Sequence, residues 1–389
     1  MPILSPDVRR AITISLGILV LVTAFGTVVA TTNVVSIDGD SMPAFEEFQT
    51  GTNPLAADTD EDGLMDGVEV NEYGTEPTVA DTDEDGLDDG PEVNEYGTEP
   101  TVADTDEDGL DDATEVNEYG TEPTVDDTDE DGLDDGPEVN EYGTEPTVAD
   151  MDNDGLDDGR EIELNTNPTD PDTDSDGLPD GSEVNNDALS GANPLHVDIF
   201  LEVDYVYGHK PPDRVLELAR GMYDDAPVSN PDGSTGITLH VSYNDSIPTD
   251  GRVNVDELDE TLMPEHFDHE NEGYHYAVAV KDAWWDGESV GGVAGGSNGQ
   301  FIFETTYANS DAEMEDKVIA SIFVHELGHS VGISDHDYRG VDSYDVTYSK
   351  YTSVMNYNAP SDAIVYSDGE PFNDWAYIEN NLFTPYIEI

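Results

Sequence analysis

The stretch HELGHSVGISDHD, His325 to Asp337, sets two histidines four residues apart with a glutamate directly after the first. Apolar residues at Val318, Ile319, Ile322 and Phe323 give the segment before it one buried face, which predicts a helix from about Asp311 to Val331. On such a helix His325 and His329 project to the same side, one turn apart, and can bind one zinc ion. Glu326 is rotated away by one residue, so it can serve as general base without ligating. Gly332 lets the chain leave the helix sharply. A catalytic zinc needs a third protein ligand, and Asp335 and His336 both follow within reach.

Working outward, the chain from Leu195 has the texture of a globular α/β domain. His196–Val206 alternates like a strand, Asp213–Ala226 has helical spacing, and Gly236–Asn244 reads as a second strand. Strand, helix, strand implies a crossover and a parallel pair. Tyr274–Ala283 and Gly299–Tyr307 are further strand candidates, and GGVAGGSNG, Gly291 to Gly299, reads as a flexible loop between them. Trp284 and Trp285 fit either a core or a substrate rim.

The front half is different in kind. The chain carries 92 Asp plus Glu against 11 Lys plus Arg, a net charge of -81, and Arg160 is the one basic residue between positions 11 and 209. A polyanion repels nucleic acid and anionic lipid surfaces, so cations are its natural partners; such acidity also fits a salt-adapted, halophilic surface. The charge is ordered. A unit of 23 residues recurs from Asp58, with carboxylates at positions 1, 3, 5, 9 and 12 and glycine at 6, the ligand spacing of a calcium loop. The first loop offers Asp58, Asp60, Asp62, Asp66 and Glu69, and the second Asp81, Asp83, Asp85, Asp89 and Glu92. Asp104, Asp106, Asp108, Asp112 and Glu115 form the third, and Asp127, Asp129, Asp131, Asp135 and Glu138 the fourth. The fifth has Asp150, Asp152, Asp154, Asp158 and Glu161; the sixth has Asp172, Asp174, Asp176, Asp180 and Glu183. Gly74 and Pro77 interrupt the spacer, so helices on both flanks, as in an EF-hand, are not expected. With repelling carboxylates and little apolar content, the metal-free array should be largely unfolded.

These loops resemble thrombospondin type 3 repeats, which implies about six structural calcium ions. HELGHSVGISD in turn resembles the extended metzincin signature. Its snapalysin-like form implies Asp335, not His336, as third zinc ligand. The same resemblance implies a methionine turn at SVMNY, Ser353 to Tyr357, with Met355 beneath the zinc and Tyr357 as a catalytic tyrosine beside Glu326. The expected fold is thus an α/β (α+β) metzincin-like catalytic domain with a mixed twisted sheet and an active-site helix. It is preceded by an elongated, calcium-stabilised array with little regular secondary structure.

Residues 11–30 are uncharged and follow Arg9 and Arg10, which fits a signal peptide or a retained membrane anchor within 1–36. A linker and half-repeat cap (37–57), six loops (58–194) and the zinc domain (195–389) complete the expected order. With no cysteine, neither a disulfide nor a thiolate ligand is available. The resulting expectation is an exported zinc endopeptidase, secreted or anchored at the cell surface, acting on a protein or peptide substrate. The alternative is a calcium-dependent adhesion or structural protein with an inactive protease-like domain.

Overall fold

A computed structural model describes residues 36–295, 299–307 and 311–387. The expected export segment, 11–30, lies outside them; among the described residues no helix is long and apolar enough to cross a membrane. The chain divides into two compact units, one up to Asp126 and one from Asp127. The last three loops therefore belong to the same unit as the globular domain.

Each repeat opens on a loop of bends and leaves it through a short helical segment, Asp66–Val68 continuing as Glu69–Tyr73 in the first copy. Gly74, at φ 81°, ends that segment by donating its N–H to the Glu69 carbonyl. One flank of each loop is thus briefly helical and the other is not, so the array has little regular secondary structure, as expected. Glycine removes only the far end, because its left-handed conformation stops the helix rather than preventing it. Apolar filling is slight, one leucine per loop, such as Leu64, Leu87 and Leu110. Apart from one threonine per spacer, such as Thr75 and Thr98, the buried polar groups are mostly carboxylates: Asp66, Glu69, Asp89 and Glu92 are all 0% exposed.

The globular domain is built on a five-stranded sheet, order β2-β1-β4-β8-β7. β1 (Asp198–Val206), β2 (Thr238–Ile247), β4 (Tyr274–Val280) and β8 (Gln300–Glu304) run parallel. β7 (Gly292–Gly295) is antiparallel to β8 and lies at the edge, so the sheet is mixed. A second sheet holds β3 (Arg252–Asn254), β5 (Asp282–Trp285) and β6 (Glu288–Val290). Gly292–Gly295 of the glycine-rich stretch expected as a loop form this edge strand, since side-chain-poor backbone still satisfies its N–H and C=O groups by pairing; residues 296–298 of the stretch lie outside the described set.

Strand alternation sorts the core into two layers. Ile199, Leu201 and Val203 of β1 face the crossover helix Asp213–Asp224 and the long helix Ala312–Ser330, which bury Leu216, Ala219, Phe323 and Leu327 against them. Tyr276, Val278 and Val280 of β4 face the other way, onto Leu258 and Leu262. Packing the long helix against the sheet brings its His325–His329 face beside β7.

Candidate metal centre and calcium loops

The long helix ends in a Schellman turn: Ile333 N–H donates to the Gly328 carbonyl and Gly332 N–H to that of His329, with Gly332 at φ 110°. The turn returns the Ile333 carbonyl to the helix, where it accepts a hydrogen bond from His329 Nδ1 at 2.8 Å. His325 Nδ1 donates in the same way to the Val354 carbonyl at 3.0 Å. A carbonyl can only accept, so both rings carry their proton on Nδ1 and present Nε2 as a free lone pair.

The two Nε2 atoms lie 3.2 Å apart. The third group to reach them is Asp342, with Oδ1 at 3.1 Å from His325 Nε2 and Oδ2 at 3.2 Å from His329 Nε2. Donor atoms of a tetrahedral site with bonds of about 2.0–2.1 Å are spaced by about 3.3 Å. Asp342 Oδ1 is buried and receives no well-formed hydrogen bond. Converging acceptors with an orphaned buried oxygen fit a divalent cation. Burial pulls the His325 imidazole down, but the Asp342 and Glu326 carboxylates and the Val354 hydrogen bond together carry it up to about 9.

Asp335, the expected third ligand, is not brought to this pair. Its side chain is 67% exposed and pairs with His336 at 3.1 Å. The cause is local: after the Schellman turn, Asp337 caps Ser334 through both N–H and Oγ, and this tight turn directs residue 335 outward at the cleft mouth. Asp342 instead is fixed from the methionine segment, where its N–H donates to the Met355 carbonyl at 2.9 Å. Sequence spacing from the second histidine gave no signal for it: Asp342 is one of four aspartates between Gly332 and Ser353, set apart only by its left-handed φ of 51°, which aspartate tolerates.

Met355 is fully buried beneath the helix, and a Cβ on Gly328 would stand 2.6 Å from its Sδ. Tyr357 stacks on His325, ring centroids 5.9 Å apart, with its phenol pushed up by burial and by the nearby Asp342 and Glu326 carboxylates. Glu326 is 6% exposed and lines the cleft; burial raises its carboxyl, the two histidines opposing. Gly292 of β7 makes room for it, since a Cβ there would lie 2.6 Å from Glu326 Cγ. The cleft, about 450 Å³, is bounded by β7, His325, Glu326, His329 and Tyr357, with Trp285 on the rim. Trp284 lies instead under Arg252, 4.3 Å from the guanidinium.

In the array, positions 1, 3 and 5 of a loop converge, as Asp58, Asp60 and Asp62 do in the first and Asp81, Asp83 and Asp85 in the second. Position 9 works across copies: Asp89 gathers with Asp62 and Glu69 of the loop before it. The position-12 glutamates Glu69, Glu92, Glu115, Glu138 and Glu161 are each pushed up to about 8, chiefly by burial and further by neighbouring carboxylates. Glu183 of the sixth loop reaches about 11 for the same reasons. That loop is joined to the globular domain: Asp176 Oδ2 accepts from Asp198 N–H of β1 at 2.7 Å, and its carbonyl accepts from the Thr384 hydroxyl. Leu178 packs with Leu189, Phe200, Tyr274 and Ile387.

Residues 58–80, 81–103, 104–125, 127–149 and 150–171 match the family described as bacterial TSP3 repeat. The match and the buried carboxylate clusters agree on calcium binding by the repeats. The sixth loop lies beyond the matched residues. Among solved structures the chain is similar to archaemetzincin from Methanopyrus kandleri, with 13% identity, 49% of this chain and 89% of that one covered, and a TM-score of 0.29. It is also similar to archaemetzincin from Archaeoglobus fulgidus complexed with malonate, at 12% identity, 48% and 92% coverage and a TM-score of 0.26. No protein of curated function matches the chain in sequence.

Proposed function

We propose that the chain is a zinc-dependent endopeptidase of metzincin type carried on a calcium-bound repeat array, with one zinc and about six calcium ions. The observation that carries the catalytic reading is the convergence of His325, His329 and Asp342 beside a buried Glu326 in a cleft flanked by an edge strand. Zinc held by those three residues would supply Lewis acidity, polarising the scissile carbonyl and acidifying a water molecule.

The protein's own groups account for the rest. Among the described residues no strand pairs with the outer edge of β7 along the cleft, so an extended peptide can add to it as a further antiparallel strand and place its scissile bond over the histidines. Glu326, held back from the ligand set, takes the proton from the attacking water and passes it to the leaving amine. Its burial favours this, because a raised carboxyl holds the proton long enough to deliver it. Tyr357, half-exposed at the cleft beside His325, is placed to donate a hydrogen bond to the oxyanion. Export through residues 11–30, to the medium or the cell surface, belongs to the same reading.

The test is digestion of casein or a peptide library by the purified zinc-loaded chain. Glu326→Ala should keep zinc and fold while losing hydrolysis by about 10²–10⁴-fold or more, because the base is gone and the metal remains. Near-normal turnover by that variant would refute the mechanism.

A further inference from the structure

The stretch SIDGDSMPAFEE, Ser36 to Glu47, precedes the matched repeats and reads as linker by sequence, having only three of the usual five carboxylates. Its backbone is nevertheless that of the repeat loops. Gly39 and Ser41 take positive φ, 102° and 75°, as Glu61 and Gly63 do at the fourth and sixth positions of the first full loop. Met42 N–H donates to Asp40 Oδ1 at 2.8 Å, as Leu64 N–H does to Asp62 Oδ1 at 2.7 Å. Ser36 Oγ accepts from the Gly39 N–H as Asp58 accepts from Glu61. The helix that follows ends at Gly51, whose N–H donates to the Glu47 carbonyl, the counterpart of Gly74 on Glu69. Stacking on the next copy is reproduced as well: a Cβ on Gly67 would strike the Asp40 carbonyl, as one on Gly90 would strike that of Asp62.

We infer that Ser36–Glu47 is a seventh calcium loop, with Asp38, Asp40 and Glu47 as its carboxylate ligands. These three gather within ligand distance of one another. Geometry alone does not carry the assignment; the unsatisfied interior does. Glu47 is 0% exposed and neither carboxylate oxygen has a hydrogen-bond partner, while Asp40, 1% exposed, leaves Oδ2 unpaired. Burying such charge without a counter-ion is costly, and no basic side chain lies between positions 11 and 159 to provide one. Burial first, then the charges of Asp38, Asp40 and Asp66, push the Glu47 carboxyl up to about 7. Asp66 belongs to the first full loop and stands to this site as Asp89 does to Asp62 and Glu69. The missing carboxylate at position 9 is then explained. In the full loops that position serves the copy before, and Ala44 has no such copy before it among the described residues.

The inference rests on calcium binding by the full repeats, so its test reads both. Amide exchange of the intact chain is followed against calcium at constant high monovalent salt, comparing residues 38–52 with the full loops. Protection of 38–52 should appear with calcium at its own midpoint, above that of the full loops because fewer charges hold the ion. Glu47→Gln should raise that midpoint by about tenfold or more and remove one ion from the total counted by native mass spectrometry, with loops beyond the second unchanged. Ser36→Asp, which restores the first-position carboxylate, should lower it. Calcium-independent protection of 38–52, or an unchanged ion count in Glu47→Gln, would overturn the seventh site alone. No response in any loop would overturn the reading of the array with it.

Discussion

Replacing Asp342 by asparagine removes a charge from the proposed zinc site and almost nothing else. Asparagine has the same shape, tolerates the left-handed backbone at φ 51°, and leaves the N–H that donates to Met355 in place. The lost interaction is the carboxylate at 3.1 and 3.2 Å from the two Nε2 atoms. Even groups that only orient a ligand change metal affinity by about 10–100-fold, so loss of a direct anionic ligand should cost at least about 100-fold, or roughly 2.7 kcal/mol. Asp335→Asn sets the scale for the competing assignment. Its side chain is 67% exposed and its partner His336 is 92% exposed, so the pair is worth no more than about 1 kcal/mol, less than roughly tenfold. The assay is zinc competition against a chromogenic chelator, with peptide hydrolysis measured on the same samples. Zinc retained at wild-type affinity by Asp342→Asn and lost by Asp335→Asn would refute the assignment.

The pH response of the metal-free array has a definite sign. Its position-12 glutamates have folded pKa values raised to about 8, so their stabilisation is complete below the ordinary carboxylate value and is lost as pH rises through about 8. The chelated chain should therefore compact on acidification and expand on return to alkaline pH, whereas calcium should hold it compact at high pH; hydrodynamic radius reports both, and an apo array that expands in acid would contradict the burial of these groups. Leu178→Ala should destabilise the globular domain by about 2–5 kcal/mol at saturating calcium, since Leu178 is 1% exposed within the cluster that includes Phe200 of β1. Equilibrium denaturation measures this, and a loss under about 0.5 kcal/mol would mean that the sixth loop is not integral to the domain.

Periodicity and ligand chemistry are local properties, and what depends on them could be read from the residues. The strands at β1, β2, β4 and β8, the crossover helix and the long helix carrying His325 and His329 follow from alternation and helical spacing. The six loops follow from carboxylates at fixed positions, because one ion must be wrapped by consecutive residues. Three things depended on groups distant in sequence. Gly292–Gly295 became an edge strand because β8 supplied its partner. Ser36–Glu47 became a loop of the array because Gly67 of the next copy packs on Asp40 and the interior leaves Glu47 unpaired; with Ser36 and Ala44 in place of carboxylates, its pattern was hidden from composition. Which carboxylate stands beside the two histidines depends on the Schellman turn and the Met355 segment together, one turning Asp335 outward and the other anchoring Asp342. Two ligands on one helix are a matter of helical pitch, but the third comes from a loop, and a loop's direction is set by what its backbone bonds to.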